Sequence, residues 1–566
     1  MRECAIALRD FGEGASVMGL FVNQHQFFID RSQLVTEELS GDPETLQSLI
    51  DEVKLVVQEE SFIIKRAFPF YEEVLARFLQ RVFQQSIQQR LEMVLDKANS
   101  ISLLAFLRSL QSAKSYISAL VEDLKAHGLT EHPEPASSQT AAVLDQQLED
   151  LFVPYFVGSS YIENEKRNLA ELYSSLLFKF TTYHSRRRKI PTSYLSSLSA
   201  RSKELVSSAR DAYLERLDSA DIPSSQKAML LRLAGMSHAS AAAHNRNEID
   251  VTEEDGALSL PYTKRMIKWL AEGVGRGLEL AGGHETPKDI RELLALLISH
   301  MGEMYLETAL DAATDAATAQ ENNTKSEPDF SYISDLRSSI TILDLLDVTI
   351  EKLLLPLAAA NVTVRRDLEK TRDEFVKRME GKIDTLLQRT IDIAVSWTSR
   401  LLSQQKKTDF RPRDEAQLQL DQLQTPTCLA IFNFLTRLYS RTSACLSGRV
   451  LGKFSEELAL GLRSLLFSHF RSYQVSLTGG LVVSKDITKY IELLRSFNLP
   501  ESFNPTLEVL TEIANLFVIN PEALRDRLRG VGSAALTGIE RNDLRPYILR
   551  REDAGTVGVQ SVLSAL

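Results

Sequence analysis

The sequence predicts an all-α protein, an elongated rod of consecutive antiparallel helical bundles. Three observations carry that expectation: apolar residues recur at three- and four-residue spacings over long segments, turn residues are scarce, and the chain is longer than one hydrophobic core can use. Only 25 Gly and 17 Pro occur in 566 residues, while Leu, Ser, Ala, Glu and Arg are abundant, a composition of helices rather than of turn-rich β structure. Hydrophobic residues make up 44% and charged residues 25%, enough apolar content for a folded chain.

Residues 1–40 read as a helix end and a tight connection, because Phe21, Phe27, Phe28 and Ile29 are too closely set for one narrow helical stripe. After the stop at Phe68-Pro69, Val74, Phe78, Val82, Leu91 and Leu95 keep one helix face apolar. Pro69 fits near that helix start, where a missing N–H costs little. The next helix, 101–127, ends at Gly128, a residue suited to a left-handed C-terminal cap. Breaks are expected at 128–142, 245–256, 281–287, 319–330, 406–417 and 476–486, where Pro, Gly and small polar residues cluster. The longest periodic segment is 368–405, with Leu368, Phe375, Met379, Ile383 and Leu386 on one side. Near the end, Leu507, Leu510, Ile513, Leu516 and Phe517 read as a buried stripe.

Heptads with charged flanks are not sustained, and no 20- to 50-residue repeat recurs, so stacked bundles fit better than one coiled coil or a regular solenoid. The breaks divide the chain into four helical regions, 1–142, 143–256, 257–410 with the long helix, and 411–566.

The net charge is −11, which disfavours nucleic acid as a partner. Cys4, Cys428 and Cys445 match neither a zinc ribbon nor a disulfide framework and suggest a reducing, cytoplasmic setting. The N-terminus has no apolar core of a signal peptide, and no uncharged apolar stretch is long enough to span a membrane.

Motifs for chemistry are weak. Gly273-Val274-Gly275-Arg276-Gly277 lacks both a preceding strand and the Lys and Ser/Thr of a phosphate loop. Gly235-Met236-Ser237-His238-Ala239 lacks the last glycine of a nucleophile elbow and has helical flanks. His284-Glu285 has no second histidine at zinc spacing. The acid pairs Glu37-Glu38, Glu59-Glu60 and Glu72-Glu73 point about 100° apart on helices and cannot share a proton. Trp269 and Trp397 read as packing residues. No catalytic, cofactor-binding or metal-binding residue is expected. The one candidate contact is the basic run Arg186, Arg187, Arg188 and Lys189, which closes a helix: it caps the helix dipole, or it meets acidic lipid headgroups or an acidic partner.

Several blocks together carry a resemblance: residues 11–31, 78–92, 478–490 (TGGLVVSKDITKY), 494–524 and the end 543–553 (DLRPYILRRED). In this collinear order they resemble the Sec-ten family of exocyst subunits in its fungal form. The resemblance implies a helical tethering protein with no active site and no cofactor. It implies other exocyst subunits as partners, notably Sec-fifteen, with small GTPases and acidic membrane lipids met through the complex, and no small-molecule substrate. Its expected place is cytoplasmic and peripheral, at sites of exocytosis on the plasma membrane, where secretory vesicles are held before SNARE-mediated fusion. In that family the block resembling FVNQHQFFI follows an N-terminal coiled-coil region that pairs with Sec-fifteen. Here it begins at Phe21, so the expectation is that this sequence lacks that region. Two alternatives are a recyclin-type F-box protein with a similar helical region, acting in membrane recycling, and an enzyme whose site is assembled from distant residues.

Overall fold

Several helix starts in this chain carry a short polar side chain that accepts a free N–H of the first turn. The computed structural model describes residues 2–12, 14–28, 43–127, 136–156, 160–187, 251–281, 286–323, 325–412, 424–528 and 541–564. Among these the secondary structure is helical throughout, with one isolated parallel bridge between Val475 and Arg551. The protein is all-α. It divides into two compact units: Met1–Asp255 with Pro261–Met301 and Val348–Thr371, and Gly256–Leu260 with Gly302–Asp347 and Arg372–Leu566.

In the first unit, α1 (Arg2–Asp10) and α2 (Gly14–Asn23) replace the helix end and tight connection expected over 1–40. The close aromatic spacing has a tertiary cause. Phe21, Phe28 and Phe78 all meet the His25 ring edge-on, at centroid distances of 5.9, 5.9 and 5.2 Å. The His25 Nε2 lies 3.0 Å from Glu60, and its Nδ1 accepts the Phe27 N–H at 3.3 Å. Helix α3 (Pro43–Ala67) buries Leu46, Leu49, Ile50, Val53, Val57 and Ile64.

Helix α4 runs Tyr71–Arg81, widens into a π-helical turn at Val82–Ile87 and continues Gln88–Ile101. Its buried residues step by four from Val74 to Val82 and again from Ile87 to Leu95, with one step of five between. The wider turn absorbs that extra residue and keeps the apolar face in phase. Helix α5 (Leu103–His127) is capped by Ser102, whose hydroxyl accepts the Ala105 N–H at 3.0 Å. The cap expected at Gly128 lies outside the described residues. The break expected over 128–142 ends sooner than predicted, because Ser137 accepts the Thr140 N–H at 3.2 Å and starts α6 (Ser138–Phe156). Helices α7 (Ser160–Arg187) and α8 (Leu260–Ala281) follow. Helix α9 runs Thr286–Leu297, passes a π-helical segment at Ile298–Glu307 and ends as Thr308–Asn322, so the break expected at 319–330 begins later.

Helix α10 is Leu336–Thr349, and α11, Val362–Ser403, has 42 residues, about 63 Å at 1.5 Å per residue. Within the second unit α11 buries Phe375, Met379, Ile383 and Leu386. Beside that stripe stands a ladder of charges. Arg372 Nη2 meets Asp347 at 2.9 Å, Arg378 meets Glu303 at 3.0 Å, and Lys382 meets both Glu307, at 2.9 Å, and Asp311.

The last helices are α12 (Pro426–Cys445), α13 (Gly448–Phe470), α14 (Leu477–Ser496), α15 (Asn504–Val518), α16 (Pro521–Leu528), α17 (Arg541–Ile548) and α18 (Val557–Leu563). The break expected over 476–486 is not there. Ser476 caps α14 by accepting the Gly479 N–H at 3.0 Å, and Gly479-Gly480 form its first turn. A Cβ at Gly479 would collide with the Phe410 carbonyl, and one at Gly480 would come within 2.5 Å of the Phe517 oxygen. The glycine pair marks close approach of backbones, not a turn.

Leu507, Leu510, Ile513, Leu516 and Phe517 are buried on α15 as expected. Its free C-terminal carbonyls are taken by Arg551, 5% exposed, which donates to Leu516 O at 2.5 Å and Ile519 O at 2.8 Å.

Candidate functional site

The glycine-rich run 273–277 lies inside α8, so it offers no loop to a phosphate. Its chemistry points inward, to α7. Tyr161, Glu165 and Asn168 stand at i, i+4 and i+7, on one helix face. From α8, Arg276 donates through Nη2 to Glu165 Oε1 at 2.6 Å and through Nε to Oε2 at 3.2 Å. The Tyr161 hydroxyl donates to Oε2 at 3.3 Å, and Asn168 Nδ2 to Oε1 at 3.5 Å. Glu165 is 1% exposed and Arg276 4%. Gly273 faces the carboxylate, where a Cβ would come within 2.7 Å of Oε1. Burial and the Glu165 charge push the Tyr161 phenol far above the usual tyrosine range. Burial opposes the charge on Arg276, yet the Glu165 hydrogen bonds hold its guanidinium protonated. Every group in this cluster is engaged, and the geometry locks one helix to another.

A second buried cluster surrounds Asp486 on α14. Its carboxylate accepts the Thr425 N–H at 2.9 Å and the Thr425 hydroxyl at 2.7 Å, while the same hydroxyl oxygen caps α12 by accepting the Cys428 N–H at 3.2 Å. Burial pushes the Asp486 carboxyl up to about 6, against the Thr425 bonds. Burial, with the nearby Asp486 charge, pushes the Cys428 thiol far above its usual range, so it stays a thiol rather than the reactive thiolate. His469, on α13, is pushed down to about 4 by burial and is neutral at physiological pH.

The basic run ends α7. Arg186 and Arg187 stand exposed on its last turn, and Arg187 donates to the Tyr183 hydroxyl at 3.0 Å. Arg188 and Lys189 lie outside the described residues, as do Gly235–Ala239, His284-Glu285 and Glu37-Glu38. Glu60 pairs with His25, and Glu72 accepts from the Tyr71 hydroxyl at 3.5 Å. Trp269 is half-buried against Tyr173 with Arg265 over its ring, and Trp397 lies under Arg400.

Among the described residues, no helix is long and apolar enough to cross a membrane, and no group of three His, Cys, Asp or Glu residues could hold a metal. The α11 ladder was not read from sequence. Its one sequence signal is the four-residue spacing of Glu303, Glu307 and Asp311, which puts three acids on one face.

Known proteins give the chain its relatives. The family described as exocyst complex component Sec10-like, alpha-helical bundle, matches residues 1–563. The chain is 27% identical to Exocyst complex component SEC10 of Saccharomyces cerevisiae over 617 aligned residues, covering 98% of this chain and 70% of that relative. It is 26% identical to Exocyst complex component 5 of Oryza sativa subsp. japonica, covering 100% of this chain and 68% of the relative. To Exocyst complex component 5 of Homo sapiens it is 21% identical over 53% of this chain and 41% of the relative. The recyclin-type F-box alternative gains no support, since these likenesses are all to exocyst components. With its all-helical bundles and a family match over nearly its whole length, the chain belongs to the Sec10-like family of exocyst complex components.

Proposed function

We propose that this exocyst-family chain works as a tethering subunit. In this reading it binds other exocyst subunits through exposed helix faces, Sec-fifteen among them, and the assembled complex holds secretory vesicles at the plasma membrane before SNARE-mediated fusion. The observation that carries the reading is the Sec10-like match over residues 1–563. Its setting is cytoplasmic and peripheral, at sites of exocytosis, with small GTPases and acidic lipids met through the complex. The four regions 1–142, 143–256, 257–410 and 411–566 are the modules on which partners are distributed. Weak contacts on each would add up by avidity, so the whole chain holds partners that single regions lose. Arg186, Arg187, Arg188 and Lys189 are a contact for acidic headgroups or an acidic partner.

The test is conditional depletion in the cells that make this protein. Secretory vesicles should accumulate beneath the plasma membrane, seen by electron microscopy, and secretion of a reporter should fall. Normal vesicle numbers and normal secretion after complete depletion would refute the tethering role.

A further inference from the structure

Several cations described in the second unit face carboxylates: Arg372, Arg378, Lys382, Arg437 and Arg441 each hold one. One ridge departs from that pattern. On α13, Leu460, Arg463 and Phe467, with Arg471 at the C-cap, follow at spacings of three, four and four, one helix face about 16 Å long. Arg463 stacks over Phe467 at 5.6 Å and Arg471 over the Tyr547 ring at 5.1 Å. Tyr547 donates its hydroxyl to Phe467 O at 3.3 Å, which joins α17 to this face. Arg550 Nε then donates to Arg471 O at 2.7 Å, and Arg545 stands exposed on α17.

Among the described residues none of these four arginines has a carboxylate in ion-pair reach. Glu552, two residues from Arg550, is bound to Arg411 at 2.7 Å. Beside the cations Leu460 is 43% and Leu549 49% exposed. Rings and a backbone carbonyl thus hold guanidinium groups in fixed directions, along a helix face, with apolar residues between them.

We propose that this ridge is the docking face for an acidic amphipathic helix of another subunit, an inference that rests on the exocyst reading above. Carboxylates of the incoming helix would take the guanidinium forks, which match them two bonds at a time. Its apolar residues would cover Leu460 and Leu549. The face suits a helix better than a lipid surface, because Arg463 and Arg471 are pre-oriented at helical spacing and only two leucines project from it.

The probe is a synthetic amphipathic helix of about three heptads, Leu at a and d and Glu at e and g, titrated against the full chain by fluorescence anisotropy. A matched peptide with Gln for Glu and phosphatidylcholine vesicles containing phosphatidylserine are the comparisons. Arg463→Glu with Arg545→Glu removes two cations that hold no backbone group; Arg471→Gln is a milder second variant, and both are checked for unchanged melting. The Glu peptide should bind, salt should weaken it, and the double variant should lose affinity by ~10-fold or more. Binding unchanged in a folded double variant would overturn the inference. So would vesicles captured through these arginines while the peptide fails to bind. If exocyst subunits co-purify with the tagged chain but peptide binding ignores the substitutions, only this face is wrong. If no exocyst subunit co-purifies, the subunit reading itself has failed.

Discussion

The seam between α7 and α8 in the first unit and the seat of α14 in the second both use glycine to bring two segments close, but they close on different chemistry. In the first, Gly273 makes room for a buried carboxylate that a guanidinium neutralises. In the second, Gly479 and Gly480 make room for bare backbone, the carbonyls of Phe410 and Phe517. A side chain can swing aside, whereas a carbonyl fixed in a helical bundle cannot. The first seam should therefore fail through charge and the second through volume.

The largest effect is expected at the first seam. Glu165→Ala leaves Arg276 charged and unpaired where it is 4% exposed, a loss of about 3–5 kcal/mol by chemical denaturation. Replacing both, Glu165→Leu with Arg276→Met, should restore most of that stability, because two apolar side chains leave no buried charge. A double variant as unstable as Glu165→Ala would show that the pair does more than neutralise itself. At the second seam Gly479→Ala should cost about 3 kcal/mol, since overpacking against backbone has no rotamer to relieve it. Gly273→Ala should cost less, as the Glu165 carboxylate can shift, and equal losses at the two glycines would erase the distinction.

Protons give a smaller and opposed pair of effects in the second unit. Asp486 titrates at about 6 in the fold, against an ordinary 3.8. Its contribution is present at low pH and is lost as pH rises through that window. His469 titrates at about 4, against 6.5, so its contribution is present above 6.5 and lost as pH falls toward 4. Each amounts to about 3 kcal/mol, and between pH 4 and 6 they nearly offset. Asp486→Asn should expose the histidine slope, with melting temperature falling as pH drops from 6.5 to 4, and His469→Gln should expose the reverse. Parallel melting curves for both variants and wild type would contradict this.

The half-buried ladder on α11 marks the small end of the scale. Lys382 is 29% exposed and its acidic partners 20% and 27%, so Lys382→Gln should cost under about 1 kcal/mol, and less in high salt. A loss as large as that at Glu165 would mean the ladder is not screened.

What could be read from sequence follows from how local its cause is. The stripes of α4, α11 and α15 stood out because each helix carries its own spacing, and even the π turn leaves a trace in the five-residue step from Val82 to Ile87. The glycine run 273–277 has no strand before it and neither a lysine nor a hydroxyl after it, and it lies inside α8. Its partner Glu165 lies 111 residues away, beyond any local pattern. Gly479-Gly480 read as a break because their reason, the carbonyls of Phe410 and Phe517, is tertiary. The arginine ridge was invisible for a similar cause, since it joins α13 to α17 across 80 residues.

Affinity purification of the tagged full-length chain from its own cells, with mass spectrometry of everything retained, tests directly whether the chain works within an exocyst assembly. The other exocyst subunits should be recovered in near-stoichiometric amounts. A tagged chain that is folded and abundant yet retains no exocyst subunit would contradict that role.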